Sequence, residues 1–155
     1  MPKVLISDKM SPLAEQVFKD RGIEVDVKTG MTPEELIACI GDYDGLAVRS
    51  STKAKTEIIE AATNLKVIGR AGIGVDNIDV ATATSRGVLV MNTPFGNSTT
   101  TAEHAISMIL ALARDIPQAN ASTHLGKWEK SRFMGMEVTG KTLGIIGCGN
   151  IGSIV

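Results

Sequence analysis

Little in this sequence reaches toward special environments or large charged partners. Its 155 residues include only two cysteines, Cys39 and Cys148, far apart and at no metal or redox spacing. That excludes a disulfide framework and a cysteine-based metal site, and it favours a reducing, cytoplasmic setting. Sixteen lysines and arginines against 17 aspartates and glutamates leave a formal net charge of −1. Such a balance carries no basic footprint for nucleic acid or an anionic membrane. No apolar stretch approaches the roughly 18 residues that a bilayer span requires. The first residues, Met1 to Asp8, lack an apolar region long enough for a secretory signal and read as an opening strand. Internal repeats and low-complexity linkers are also missing. What remains is a chain that is 43% hydrophobic and 21% charged, enough to bury a core.

Along the first ninety residues short apolar runs alternate with amphipathic segments. Val4–Ile6 reads as a strand. Ser11 followed by Pro12 reads as a cap and first position of a helix whose face carries Leu13, Val17 and Phe18. Gly22 ends that helix, and Ile23 to Val27 form a second strand. Thr32-Pro33-Glu34-Glu35 starts another helix with a cap, a proline and an acidic first turn. Strands are expected over Gly45–Val48, Leu65–Gly69 and Val88–Met91, with helices over Lys55–Ala62 and Asp79–Arg86. Continuously apolar strands separated by helices predict a parallel sheet covered on both faces.

The pattern changes after Asn92-Thr93-Pro94. Thr100-x-x-Glu103 reads as a capping box, and Ala102 to Ala113 is apolar nearly all round. A helix with no polar face is expected to be buried between domains or subunits. Near the end, Thr142–Ile146 reads as a short buried strand running into Gly147-Cys148-Gly149-Asn150-Ile151-Gly152. Glycines at the spacing G-x-G-x-x-G allow a sharp turn, a close approach of bare backbone to a pyrophosphate, and tight helix packing. The expected organisation is therefore a five-stranded unit over residues 1–95 and the start of a nucleotide-binding unit over 96–155. The acidic residue that would read the ribose lies about 20 positions beyond the glycines, so the chain reads as the front portion of a nucleotide-dependent enzyme, and NAD is not distinguished from NADP by residues.

Three further stretches lie at compatible distances. They are Val48-Arg49-Ser50-Ser51-Thr52-Lys53, Gly69-Arg70-Ala71-Gly72-Ile73-Gly74-Val75-Asp76-Asn77-Ile78-Asp79 and Met91-Asn92-Thr93-Pro94-Phe95-Gly96-Asn97-Ser98. Together with the glycine fingerprint they resemble the D-isomer-specific 2-hydroxyacid dehydrogenases along the whole chain. The resemblance implies a flavodoxin-like α/β substrate domain followed by the start of a Rossmann domain, NAD as cofactor, and a homo-oligomer. Gly126-Lys127-Trp128-Glu129 and Arg132-Phe133-Met134-Gly135 look like the members that oxidise 3-phosphoglycerate to 3-phosphohydroxypyruvate, the step entering serine biosynthesis. Two alternatives stand beside that reading. One is a relative acting on glyoxylate or hydroxypyruvate; the other is a non-catalytic binding module of the same fold.

Candidate site residues follow from position and from the resemblance. The Gly72-Ile73-Gly74 turn can aim backbone N–H groups at the substrate carboxylate as an anion nest, with Ile73 also touching the nicotinamide end of the cofactor. On residues alone, the same glycines read first as a tight strand-to-helix connection; the resemblance of the flanking residues turns the reading to the anion. Arg49, followed by Ser50, ends one strand and Arg70 ends the next, at the edge where open parallel sheets gather ligands. Guanidinium groups there suit carboxylate or phosphate. By resemblance Asn97 and Thr101 lie near the substrate and nicotinamide, although Ser98 to Thr101 are equally candidates for helix capping. On residues alone Lys130 and Arg132 read as a solvated basic face; the resemblance implies a loop that reaches the partner subunit's active site and helps hold substrate phosphate, with Ser131 standing where a further charge is expected. Gly147, Gly149, Asn150, Ile151 and Gly152 are assigned to the cofactor. No metal ligand is assigned. His104 and His124 are read as non-catalytic, and the acid–base histidine, its glutamate and the substrate-polarising arginine are implied to lie outside this chain.

Overall fold

The computed structural model describes all residues from Met1 to Val155, and they divide into two compact units, Met1–Gly96 and Asn97–Val155. The first unit is an α/β fold. Its strands are β1 (Lys3–Ile6), β2 (Glu24–Val27), β3 (Gly45–Val48), β4 (Val67–Arg70) and β5 (Leu89–Asn92). All pair in parallel, in the order β2-β1-β3-β4-β5. This is the flavodoxin-like order, in which the chain moves one way from β1 and then reverses.

The helices begin where local chemistry directs. In α1 (Pro12–Asp20), Ser11 accepts a hydrogen bond from the Leu13 amide. In α2 (Pro33–Ile40), Thr32 and Glu35 form a complete capping box. Helix α3 covers Thr56–Ala61 and α4 covers Val80–Ser85. Gly22, with φ of 70°, lets the chain turn back from α1 in the left-handed region.

Right-handed crossovers place α1 on one face of the sheet and α2, α3 and α4 on the other, because only the β1-to-β2 step runs in the first direction. The core follows that asymmetry. Leu5, Leu46, Val48 and Ile68 pack with Leu36, Ile40, Ile58, Ile59 and Ala83, whereas α1 has no buried residue and its Leu13 is 67% exposed. Helices thus lie on both faces of the parallel sheet, as expected, with the α1 face the less covered: its Val4 and Ile6 are buried, whereas Leu89 and Met91 on β5 are exposed. Tyr43 is buried in the core and its hydroxyl donates to Asp26 at 2.7 Å. Burial pushes the Tyr43 phenol up, while the same hydrogen bond holds Asp26 below the usual carboxylate range.

Asp79 caps α4. Its carboxylate accepts from the Thr82 amide at 3.0 Å, the Thr82 hydroxyl at 2.7 Å and the Thr56 hydroxyl at 2.7 Å. The bond from Thr56, then those from Thr82, lower its pKa from 3.8 to about 2. A depressed folded-state pKa stabilises the fold above the unfolded value of 3.8, and that contribution disappears as pH falls through about 2. Asp79→Asn is therefore expected to melt at a lower temperature than the wild type at pH 7. Thermal melts followed by circular dichroism should show the gap closing as pH drops below 3.8 toward 2; a gap constant across that range would remove this role.

The second unit contains α5 (Ser98–Ala113), α6 (Ile116–His124) and a short 3₁₀ helix, Lys130–Phe133. Two expectations are corrected here, the capping box and the last strand. Helix α5 starts at Ser98 with Asn97 as its cap and no side-chain cap bond, so Thr100 and Glu103 fall inside the helix rather than forming a capping box. Within this chain much of the apolar surface of α5 stays open: Met108 is 56% and Leu112 77% exposed, and of its residues only Ser98 and Ala102 are buried, so nothing in the chain itself covers it. Thr142–Ile146 forms no strand. An isolated extended segment has no ladder to satisfy its amides, and no strand exists in this unit to pair with it.

Candidate anion site at the sheet edge

Because all five strands are parallel, the residues following β1, β3, β4 and β5 meet at one edge. In this strand order the topological switch lies between β1 and β3, where such sheets take their ligands. A cleft of about 450 Å³ opens there, lined by Lys9, Met10, Ser11 and Ala14 after β1, Arg49 after β3, and Ala71 after β4. Arg49 is exposed, and its Nη1 donates to the Lys9 carbonyl at 3.2 Å. That single neutral partner leaves most of the guanidinium fork free for an anion. Ser50 is exposed beside it.

The glycine turn after β4 is held by its carbonyls. The Thr93 amide donates to the Gly72 carbonyl at 3.0 Å, and Asn92 Nδ2 donates to the Ile73 carbonyl at 2.7 Å. The Gly72 amide turns back onto the Arg70 carbonyl at 3.0 Å. No acceptor within the chain engages the amides of Ile73 and Gly74. Of the glycine turn, Gly72 therefore shapes the bend with its amide engaged, and only Ile73 and Gly74 leave their N–H groups open.

Arg70 lies beneath that turn. A Cβ on Gly72 would sit 3.5 Å from Arg70 Nε, and one on Gly74 would sit 3.1 Å from Arg70 Nη1. Arg70 Nη1 donates to Asp76 Oδ1 at 2.8 Å, and the Arg70 side chain is 11% exposed. The guanidinium beside it holds the Asp76 carboxyl below the usual range. Expected from sequence as a ligand-facing cation, Arg70 instead has a carboxylate partner in its own chain and supports the glycine turn.

The sequence-predicted residues of the second unit are placed by themselves. The Thr101 hydroxyl donates to the Asn97 carbonyl at 2.8 Å, which ties the two together across the first turn of α5. Lys130 and Arg132 are exposed on the 3₁₀ helix. Arg132 Nη1 reaches Glu129 at 3.1 Å, and Glu129 is lowered first by the Ser122 hydroxyl that donates to it at 2.7 Å. Lys130 has no such partner.

At the fingerprint, Gly147 has φ of 93°, in the region that favours glycine. A Cβ on Gly152 would overlap the Gly147 carbonyl oxygen, whereas one on Gly149 would meet nothing within 4 Å. This arrangement fits a dinucleotide pyrophosphate, since the turn closes on bare backbone and leaves the Gly149 side open. The expected helix after it amounts to one turn, with Ser153 N–H on the Gly149 carbonyl and Val155 N–H on that of Ile151.

Sequence reasoning missed Asp8, Asp76 and Asn77. Asp8 and Asn77 are buried polar residues at this same edge, and nothing in their immediate neighbours marks them.

The profile described as D-isomer specific 2-hydroxyacid dehydrogenase, catalytic domain, matches residues 4–149. The chain belongs to this family. Among curated relatives, the D-3-phosphoglycerate dehydrogenases of Archaeoglobus fulgidus and Homo sapiens are each 54% identical over 150 residues, covering 97% of this chain. The 2-hydroxyacid dehydrogenase chain spans 28% of the length of those two relatives. Among solved structures, a cofactor (NAD+)-bound 3-phosphoglycerate dehydrogenase from Entamoeba histolytica superposes with a TM-score of 0.78 at 33% identity. That match covers 98% of this chain and 48% of that one. No helix of the chain is long and apolar enough to cross a membrane.

Proposed function

We propose that the protein carrying this chain is a cytoplasmic, homo-oligomeric NAD-dependent dehydrogenase that oxidises 3-phosphoglycerate to 3-phosphohydroxypyruvate, the entry to serine biosynthesis. The observation that carries the reading is the pair of unengaged amides at Ile73 and Gly74, on a turn that begins at the wall of a cleft holding Arg49. In this reading residues 1–95 form the substrate domain and residues 96–155 the start of the nucleotide domain. The Ile73 and Gly74 amides hold the substrate carboxylate, fixing the C2 carbon against the nicotinamide side of Ile73. Arg49, with Ser50, takes the remaining anionic end through its free fork. Of the second unit taken by itself, Lys130 and Arg132 are the cations read for substrate phosphate, and Asn97 and Thr101 the residues read for substrate and nicotinamide. Bare backbone at Gly147, Gly149 and Gly152, with Asn150 and Ile151, cradles the pyrophosphate of NAD. When bound, NAD accepts the hydride from C2. The proton of the C2 hydroxyl needs a base, and we assign none of the side chains of this chain to that task.

The 54% identity to phosphoglycerate dehydrogenases supports this reading over glyoxylate or hydroxypyruvate relatives. Full-length protein given 3-phosphoglycerate and NAD should accumulate NADH. Glycerate, which lacks the phosphate, should be oxidised with kcat/KM lower by at least about tenfold, the loss expected for one charge-assisted contact. Equal use of glycerate would move the assignment to an unphosphorylated acid, and absence of NADH with either compound would overturn it.

A further inference from the structure

We propose that Asp8, Thr52 and Asn77 are positioning residues that clamp the Arg49 turn and thereby set affinity for the substrate anion, an inference that rests on the reading of Arg49 above. Residues 49–52 leave the end of β3, and both ends of this turn are gripped by side chains distant in sequence. The Asp8 carboxylate accepts from the Arg49 amide at 2.6 Å, the Thr52 amide at 3.1 Å and the Thr52 hydroxyl at 2.8 Å. From the other side, Asn77 Nδ2 donates to the Arg49 carbonyl at 2.8 Å and the Thr52 carbonyl at 2.6 Å. Every backbone polar group of the two end residues thus terminates on one of two side chains.

Asp8 is 5% and Asn77 4% exposed. Breaking either set of bonds leaves desolvated groups unpaired, which costs more than the bonds themselves contribute. Neither residue is open enough to touch a ligand, so both act through Arg49. Asn77 also follows Asp76, the partner of Arg70 beneath Gly74. One short segment therefore ties the Arg49 turn to the glycine turn and sets the spacing between the two groups that receive the anion. A turn fixed before binding loses less conformational freedom when ligand arrives, and affinity rises accordingly.

The test compares Thr52→Val, Thr52→Ser and Asn77→Asp in the full-length protein. It reads steady-state kinetics with 3-phosphoglycerate and hydrogen exchange at residues 49–52. Valine removes the hydroxyl that Asp8 holds. Aspartate keeps the shape of Asn77 but turns an acceptor toward two carbonyl oxygens. Both should raise KM about tenfold, with kcat within about twofold of wild type, and both should speed exchange in the turn. Thr52→Ser should restore wild-type values. A purely structural role would lower the folded fraction and leave KM of the folded molecules alone, so an unchanged KM overturns the proposal, as does unchanged exchange at residues 49–52. If the wild type fails to oxidise 3-phosphoglycerate, the functional reading fails by itself, and the exchange measurement still decides the clamp.

Discussion

Arg49→Ala is expected to raise the KM for 3-phosphoglycerate by about 10- to 100-fold while kcat stays near the wild-type value. Hydrogen bonds to charged groups contribute about 1.5–3 kcal/mol, and each 1.4 kcal/mol is about tenfold in an equilibrium constant. Arg49 follows β3 at the switch edge, and only one of its guanidinium donors is engaged within the chain, by the Lys9 carbonyl. Its side chain is remote from the core, so truncation should remove binding rather than folding. Binding lost equally in ground and transition states appears in KM alone. Arg49→Lys should fall between the two, because an ammonium keeps the charge but loses the planar fork. A drop in kcat with KM unchanged would instead place Arg49 against the reacting atoms.

Gly152→Ala is the second large effect. The added methyl would overlap the Gly147 carbonyl oxygen and sit 3.1 Å from its carbon and 3.3 Å from Cys148 Cα. Every obstructing atom is backbone, so no side chain can swing aside. The turn must open, and with it the close approach of amides to a pyrophosphate. NAD affinity should weaken by more than about tenfold, while melting of the first unit is unchanged. Gly149→Ala provides a contrast. A methyl there meets nothing within 4 Å in the free chain, so any loss of affinity must come from the ligand it displaces. Titration of NADH by fluorescence reads both. Unaltered affinity in Gly152→Ala would detach the fingerprint from cofactor binding.

Most of the first unit was legible in sequence because its signals are local. Ser11 and Thr32 cap the helices they were expected to begin, since a cap needs only its own chain two or three residues on. The apolar runs became strands with no end shifted by more than two residues, and Gly45–Val48 matches without any shift. The errors fall where structure depends on something distant. Thr142–Ile146 has the composition of a strand, but a strand requires a neighbour. Thr100 and Glu103 have capping-box spacing, but Asn97 begins the helix earlier. At the site, the glycines and Arg49 stood out through residue type and position at strand ends. The Asp8 and Asn77 bonds span 41 and 28 residues to Arg49, and no periodicity or motif encodes a pairing of that range. Arg70 misled for the same reason: a strand-end arginine looks free until Asp76 is seen folded back on it.

Backbone amide NMR during titration of 3-phosphoglycerate into the ¹⁵N-labelled protein tests the proposed anion cradle directly. The Ile73 and Gly74 amides should shift together with the Arg49 side chain and saturate at one ligand concentration. Shifts confined to other surfaces, with residues 72–74 unmoved at saturation, would contradict it.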